Sequence, residues 1–326
     1  MTTLLDRIDP ELAEALANLP IGSDGLLDVT NIPKARESVR QIAESIAQNT
    51  PDDPRISVQE YRAKSYDGYE VPIRMLRPKS AIGPVPLLVW FHAGGQILGF
   101  AAQDDPLNKM LIAKTGCAIA SVDYRLAPEY PSPTGAKDGF AAWKWLVKSA
   151  EDLQIDSERM AIAGGSGGGC IAAATTLLIR DHGAKAPKFQ ALICPMLDDR
   201  NETPSSKMIE DIGIWDRKTN IFAWKNILGE KSGSNEVSVY SAPARETNFK
   251  NLPETFIAVG ELDLFRDESL NYALGLQQDN IPVELHLYPR AYHSFNVFAP
   301  KSQLTLSFNS TWQTYIKRQF GSKEID

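Results

Sequence analysis

The sequence predicts an α/β protein whose central sheet is mostly parallel and covered by helices on both faces. Two observations carry this. The runs VPLLVWFH, GCAIASVDY, RMAIAGG, FQALICP, ETFIAVGE and VELHLYP are continuously apolar rather than alternating, the pattern of strands buried on both faces. Between most of them lie helical stretches, DPLNKMLIAKT, TGAKDGFAAWKWLVKSA, GGGCIAAATTLLIRDH and RDESLNYALGLQQD. Strand–helix alternation on that scale builds parallel crossover units.

In chain order, the first fifty residues read as helices, DPELAEALANL and KARESVRQIAESIAQN, with apolar positions three to four apart. From Ile56 the texture changes to alternation: ISVQEYRAKS and YEVPIRMLRP, joined by the turn-like Tyr66-Asp67-Gly68, read as an antiparallel hairpin. The apolar runs follow. The stretch from about Asp198 to Ser241, with Trp215, Phe222 and Trp224, is too long for a simple crossover. It reads as an insertion over the carboxyl ends of the strands. The expected division is an N-terminal helical cap segment over residues 1–50, a sheet domain over 51–197 and 242–326, and a cap insertion over 198–241.

The bulk properties narrow the function. A chain of 326 residues that is 43% hydrophobic and 23% charged has the material for a sizeable core. A net charge of −7 argues against a nucleic-acid-binding surface. Cys117, Cys170 and Cys194 show no metal-binding spacing and each sits in an apolar stretch, so they read as small buried hydrophobes in a reducing compartment. The start, MTTLLDRIDPELAEAL, carries acids where a signal peptide needs an apolar core, and no apolar run approaches a membrane span of ~18 residues. The expected setting is cytoplasmic.

The run RMAIAGGSGGGCIAAATTLLI carries the chemistry. A flexible linker would have polar flanks, whereas this run joins a buried strand to an apolar helix. Gly167 to Ala172 formally matches G-x-G-x-x-A, but a dinucleotide site also places an acid about 20 positions on, where KAPKFQALICP has none. No Lys-Ser or Lys-Thr follows, which removes a Walker-type loop. The remaining reading is a nucleophile elbow, G-x-S-x-G, at Gly164 to Gly168. A serine on a tight strand-to-helix turn needs small neighbours at −2 and +2, and the helix start offers backbone N–H groups to a developing oxyanion.

An elbow serine needs an acid and then a base further along the chain. Of four histidines, His182 reads as a helix-end surface residue, His286 as a strand-face residue, and His92 precedes the elbow. Only His293 follows the last predicted strand. For the acid, ETFIAVGELDLFRDES offers Asp263 as the first aspartate past its strand, with Glu261 as runner-up. Asp267 and Glu268 read as first-turn helix residues favoured by the helix dipole. Upstream, His92-Ala93-Gly94-Gly95 follows a buried strand, where small residues let backbone N–H groups turn inward.

With these residues in view, the chain resembles the hormone-sensitive-lipase-like group of α/β-hydrolase esterases, marked by HGGG and GDSAGG. The likeness runs from about residue 57 to the C-terminus. It includes the Asp123–Glu129 segment DYRLAPE, the segment DLFRDE from Asp263 to Glu268, and Tyr288 to Phe295 against a Y-x-G-x-x-H-x-F ending. The resemblance implies an eight-stranded sheet with a helical cap, and hydrolysis of small-to-medium acyl esters without metal or organic cofactor. It implies Ser166 as nucleophile, His293 as base, Asp263 as its orienting acid, and Gly94, Gly95 and Gly167 as oxyanion donors. Asp123, Arg125 and Glu129 would brace the scaffold.

The sequence departs from the group at Ala93, the first glycine of HGGG, and at Gly165 and Gly167, where the group has Asp and Ala. Gln96 replaces a common aromatic. Extra glycines raise the entropy of the unfolded chain and loosen the elbow. The alternative is a small-molecule receptor on the same fold, as in the plant gibberellin receptors, which have replaced the histidine retained here as His293. Hydrolysis of a specialised ester, lactone or carbamate also fits. The expected partner is a small-molecule ester, without nucleic acid or membrane span; a homodimer through a sheet edge or cap is compatible with the pattern.

Overall fold

The computed structural model describes residues 4–19, 28–50, 52–210 and 213–325. Eight strands form one sheet: β1 (Ile56–Lys64), β2 (Glu70–Pro78), β3 (Val85–Phe91), β4 (Ala118–Val122), β5 (Ile155–Gly165), β6 (Phe189–Ile193), β7 (Glu254–Leu262) and β8 (Val283–Tyr292). Their order is β1-β2-β4-β3-β5-β6-β7-β8. Strand β2 runs antiparallel to both neighbours, and every other pairing is parallel. All eight expected strands are present, and the hairpin turn falls where Tyr66-Asp67-Gly68 places it.

The helices are α1 (Pro10–Ala17), α2 (Ile32–Asn49), α3 (Asp105–Thr115), α4 (Thr134–Lys148), α5 (Gly167–Asp181), α6 (Pro204–Met208), α7 (Arg217–Leu228), α8 (Arg266–Gln278), α9 (Phe295–Phe298) and α10 (Gln303–Phe320). Their starts are written in the sequence. Asp9 caps α1 ahead of Pro10, Asn31 caps α2 ahead of Pro33, and Asp216 accepts from Thr219 N at 2.7 Å to cap α7. Helix α10 has no counterpart among the helical stretches expected from the sequence. Its buried Phe308, Trp312, Tyr315 and Ile316 recur at helical spacing.

The two-residue period of the strands splits the core into two layers. Leu87, Val89 and Phe91 of β3 face α4, α5 and α8, burying against Trp143, Leu177 and Leu276. Leu88 and Trp90 of the same strand face α3 and α10, against Ile112, Trp312 and Ile316. Ile8 and Leu12 of the N-terminal segment join this second layer. A third apolar cluster sits over the carboxyl ends of the strands. There Ile32 and Ala35 of α2 meet Trp215, Trp224 and Ile227 of the long insertion, together with Ile97, Leu98, Leu264 and Phe265. Among the described residues no helix is long and apolar enough to cross a membrane.

Candidate active site

The carboxyl ends of β3, β5, β7 and β8 bring the expected residues together. Between β5 and α5, Ser166 adopts φ 53° and ψ −119°, a conformation that costs a non-glycine residue on the order of 1–3 kcal/mol. The turn holds it there: Ser166 N donates to Ile193 O at 2.8 Å, and Ser166 O accepts from Met196 N at 3.0 Å. The flanking glycines are steric necessities. A Cβ at Gly164 would lie 2.2 Å from Gly168 O, and one at Gly168 would lie 2.1 Å from Phe91 O.

Ser166 Oγ lies 3.0 Å from His293 Nε2 and donates to it. On the other side of the ring, His293 Nδ1 donates to Asp263 Oδ2 at 2.8 Å. The second carboxylate oxygen accepts from Phe265 N at 2.9 Å, so the acid is fixed at both ends. All three side chains are buried. Burial opposes the charged form of the imidazole, but the Asp263 carboxylate and the Cys194 side chain outweigh it and hold His293 well above the ordinary histidine value.

The runner-up acid stands elsewhere. Glu261 accepts from Arg290 N at 2.9 Å and pairs with Arg7 at 2.5 Å. Asp267 accepts from Ser205 N at 2.7 Å. Both Asp267 and Glu268 lie in the first turn of α8 as expected. Glu268 is also deeply buried, accepting from Leu197 N at 2.6 Å, and burial pushes its carboxyl well up. His182 ends α5 with Nδ1 donating to Leu178 O at 2.9 Å, and His286 pairs with Glu284 at 3.0 Å.

The loop after β3 turns through Gly94 (φ 129°), Gly95 (φ 57°) and Gln96 (φ 59°). Gly94 opens this turn, where a Cβ would meet Leu98 O at 2.2 Å. Gly95 lies directly against the elbow: a Cβ on Gly167 would fall 2.7 Å from the backbone nitrogens of both Gly95 and Gln96. Amide nitrogens of the two loops therefore converge beside Ser166. At Gly165, by contrast, a Cβ would meet nothing within 4 Å. The two unusual glycines differ physically: position 167 has no room for a side chain and position 165 does.

Bracing comes from the segments that the sequence assigned to scaffolding. His92 stacks on Tyr124 with centroids 4.3 Å apart, and Tyr124 Oη donates to His92 O at 2.8 Å. Asp123 Oδ1 accepts from Ala101 N at 2.9 Å. Arg125 pairs with buried Asp138 at 2.8 Å and with Asp67 at 2.6 Å. From α2, Arg36 donates to Ile97 O, to Ala127 O and to both oxygens of Glu129, each at 2.8 Å.

Two residues at the site were missed from the sequence. Trp215, in the insertion, lies over the loop that follows β3, so that a Cβ on Gly95 would fall 2.4 Å from its ring; Trp215 Nε1 donates to Asn220 Oδ1 at 3.0 Å. Cys194 follows β6 in a left-handed conformation (φ 39°), and its thiol lies beside His293 and Asp263. Its place immediately after an apolar run next to the elbow strand was the available signal, because ligands of open α/β sheets gather at strand carboxyl ends.

The alpha/beta hydrolase fold family matches residues 88–297 of the chain. Carboxylesterase NlhH of Mycobacterium tuberculosis is 32% identical over 300 residues, 90% of this chain and 90% of that protein. Ethyl acetate hydrolase of Pseudomonas putida is 29% identical over 298 residues, 88% of this chain and 92% of that one. Among solved structures, a bacterial heroin esterase superposes with a TM-score of 0.93 at 37% identity, covering 98% of this chain and 99% of its own.

Proposed function

We propose a reaction for a chain that belongs to the alpha/beta hydrolase fold family, in its hormone-sensitive-lipase-like carboxylesterase group: hydrolysis of small-to-medium acyl esters through an acyl-enzyme. The observation that carries it is the continuous link from Ser166 through His293 to Asp263, at 3.0 and 2.8 Å, on a strained elbow.

In this reading His293 Nε2 takes the proton of Ser166 as Oγ attacks the ester carbonyl. Asp263 holds the tautomer that leaves Nε2 free and stabilises the imidazolium. Backbone N–H groups of Gly94, Gly95 and Gly167 receive the oxyanion, each donor being worth ~2.7–4 kcal/mol of barrier. The imidazolium protonates the departing alcohol, and water then repeats the sequence on the acyl-enzyme. Every step uses the chain's own groups and water. Trp215 beside Gly95 supplies an apolar wall next to the reacting carbonyl, which suits a small acyl group.

In this reading residues 1–50 and 198–241 supply the cap, with Ile8 and Leu12 anchoring the N-terminal segment to the core layer of α3 and α10, over a catalytic body of 51–197 and 242–326. Three buried, unpaired cysteines support a reducing, cytoplasmic setting. Strand β8 ends the sheet with Leu285 and Leu287 exposed, which supports pairing with a second copy; light scattering of the wild type against a Leu287→Lys variant tests this. The central test is Ser166→Ala. Ester turnover and labelling by a fluorophosphonate probe should both vanish, and hydrolysis persisting in the pure variant would overturn the assignment. A wild type that resists the probe would point instead to a binding protein on this fold.

A further inference from the structure

Cys194 takes no part in the reaction above, yet it stands inside the site. One donor atom each from Cys194, Asp263 and His293 lies within 4.8 Å of the others, all three residues are buried, and among the described residues no other His/Cys/Asp/Glu cluster is compact enough to hold a metal ion. The other two cysteines have ordinary surroundings: Cys117 lies against Thr115 Oγ1 at 3.2 Å, and Cys170 donates to Ser241 O at 3.4 Å. We propose that Cys194, Asp263 and His293 form an inhibitory site for a thiophilic divalent cation, zinc or cadmium, which on binding removes the imidazole from acyl transfer.

The donor set is one sulfur, one imidazole nitrogen and one carboxylate oxygen, the set that suits borderline and soft divalent ions. Bonds of roughly 2.0–2.3 Å in a tetrahedral site place ligand atoms about 3.3–3.8 Å apart, so shifts on the order of 1 Å close this set around an ion. A second observation points the same way. Behind the cluster is a small cavity of about 10 Å³ lined by Cys194, Asp263, Tyr288 and Tyr292. Both tyrosines are buried, and the Tyr292 hydroxyl has no hydrogen-bond partner. The cavity's lining is mostly apolar, with Ile193, Ala258, Val259 and Phe295 beside Cys194 and Asp263, and its size is about that of one water, next to the three side chains.

The chemistry balances without a further reactant. Cys194 Sγ loses its proton to solvent as the sulfur–metal bond forms, and Asp263 binds through a carboxylate lone pair. If the metal takes His293 Nδ1, the proton now shared with Asp263 moves to Nε2, and the ring presents N–H to Ser166 instead of a lone pair. If it takes Nε2, the lone pair that would accept the serine proton is occupied. Either way the base is lost; the thiol proton is released to solvent, together with one ring proton wherever the imidazole starts as its cation.

The effect on turnover rests on the esterase reading, so the test has an arm that does not. Chelator-treated protein is titrated with cadmium while the ultraviolet thiolate-to-cadmium band is recorded, and hydrolysis is followed in parallel with zinc and with cadmium. The band should appear in the wild type and in Ser166→Ala, which has no turnover, and be absent from Cys194→Ser, Cys194→Ala and His293→Ala. Folding of each variant is checked by thermal melting. Among the cysteine variants that retain turnover, zinc inhibition should weaken by about tenfold or more. Equal inhibition in the cysteine variants, or a band that persists without Cys194, would overturn the proposal. A band in a wild type that hydrolyses nothing would leave the site standing and remove the esterase reading.

Discussion

Replacing Gly167 by alanine restores the residue that the related GDSAGG motif carries, and in this chain it should impair the enzyme. The added Cβ would lie 2.7 Å from Gly95 N and from Gln96 N, whereas ordinary contact begins at 3.4 Å, a deficit of 3.4 − 2.7 = 0.7 Å. The atoms it meets are backbone, so no side-chain rotation relieves the contact. Either the elbow or the oxyanion loop must retreat by that distance. A misplacement of about 1 Å costs about 10²-fold, and complete loss of one oxyanion donor about 10²–10³-fold. We expect kcat for a nitrophenyl acetate to fall by roughly 10- to 10²-fold, ~1.4–2.7 kcal/mol of barrier. KM should change little, because the lost contact belongs to the transition state. Steady-state kinetics and urea unfolding on the same preparation separate this from simple destabilisation. A variant within about twofold of wild-type kcat would refute the reasoning. The matched control is Gly165→Ala, where nothing lies within 4 Å. It should keep its rate and gain about 0.4–1 kcal/mol of stability by restricting the unfolded chain.

Other outcomes follow from the charges. Asp263→Asn should lower kcat by about 10⁴-fold, while Glu261→Gln, which breaks only the contacts with Arg7 and Arg290, should stay near wild type. Because His293 is held above its ordinary value, the acid limb of kcat/KM should lie above that value, with activity appearing as pH rises and the ring loses its proton. The linked stability has the opposite sense. The His293–Asp263 pair stabilises the fold fully below the unfolded histidine value, and that contribution fades as pH rises through the folded one. An acid limb at or below about 6.5 would contradict the raised value. Asp138→Ala leaves the Arg125 guanidinium, which is only 5% exposed, with Asp67 as its remaining carboxylate partner; the expected loss is on the order of 3 kcal/mol by denaturant unfolding, and a loss under about 1 kcal/mol would show that Asp67 compensates.

Much of the architecture was legible because its cause is local. The apolar runs each became a strand, and the capping residues Asp9 and Asn31 start helices within a residue or two of the pattern. Ser166, Asp263 and His293 were readable because each follows a strand in an order the elbow demands. What escaped depends on contacts between distant segments. Trp215 reaches Gly95 across 120 positions of sequence, and nothing in its own neighbourhood announces that. Cys194 read as one more buried hydrophobe, since its nearness to His293 is created only when β6 and β8 flank β7. Gly165 and Gly167 look equivalent in the string GGSGGG; only the approach of a second backbone separates them.

The grip of Arg36 on Ile97 O, Ala127 O and Glu129 bears on how this chain can be shortened. A trimmed version starting at the hairpin would keep every strand and most of both core layers. It would also expose the turn that follows β3 on the side where α2 now lies, and release two segments, the turn at Ile97 and the stretch from Ala127 to Glu129, that a single guanidinium holds in register. Such a fragment would keep the strands yet lose the brace on the loop that faces Ser166. The length of chain that supplies the sheet and the length that holds that loop differ by the N-terminal helix carrying Arg36.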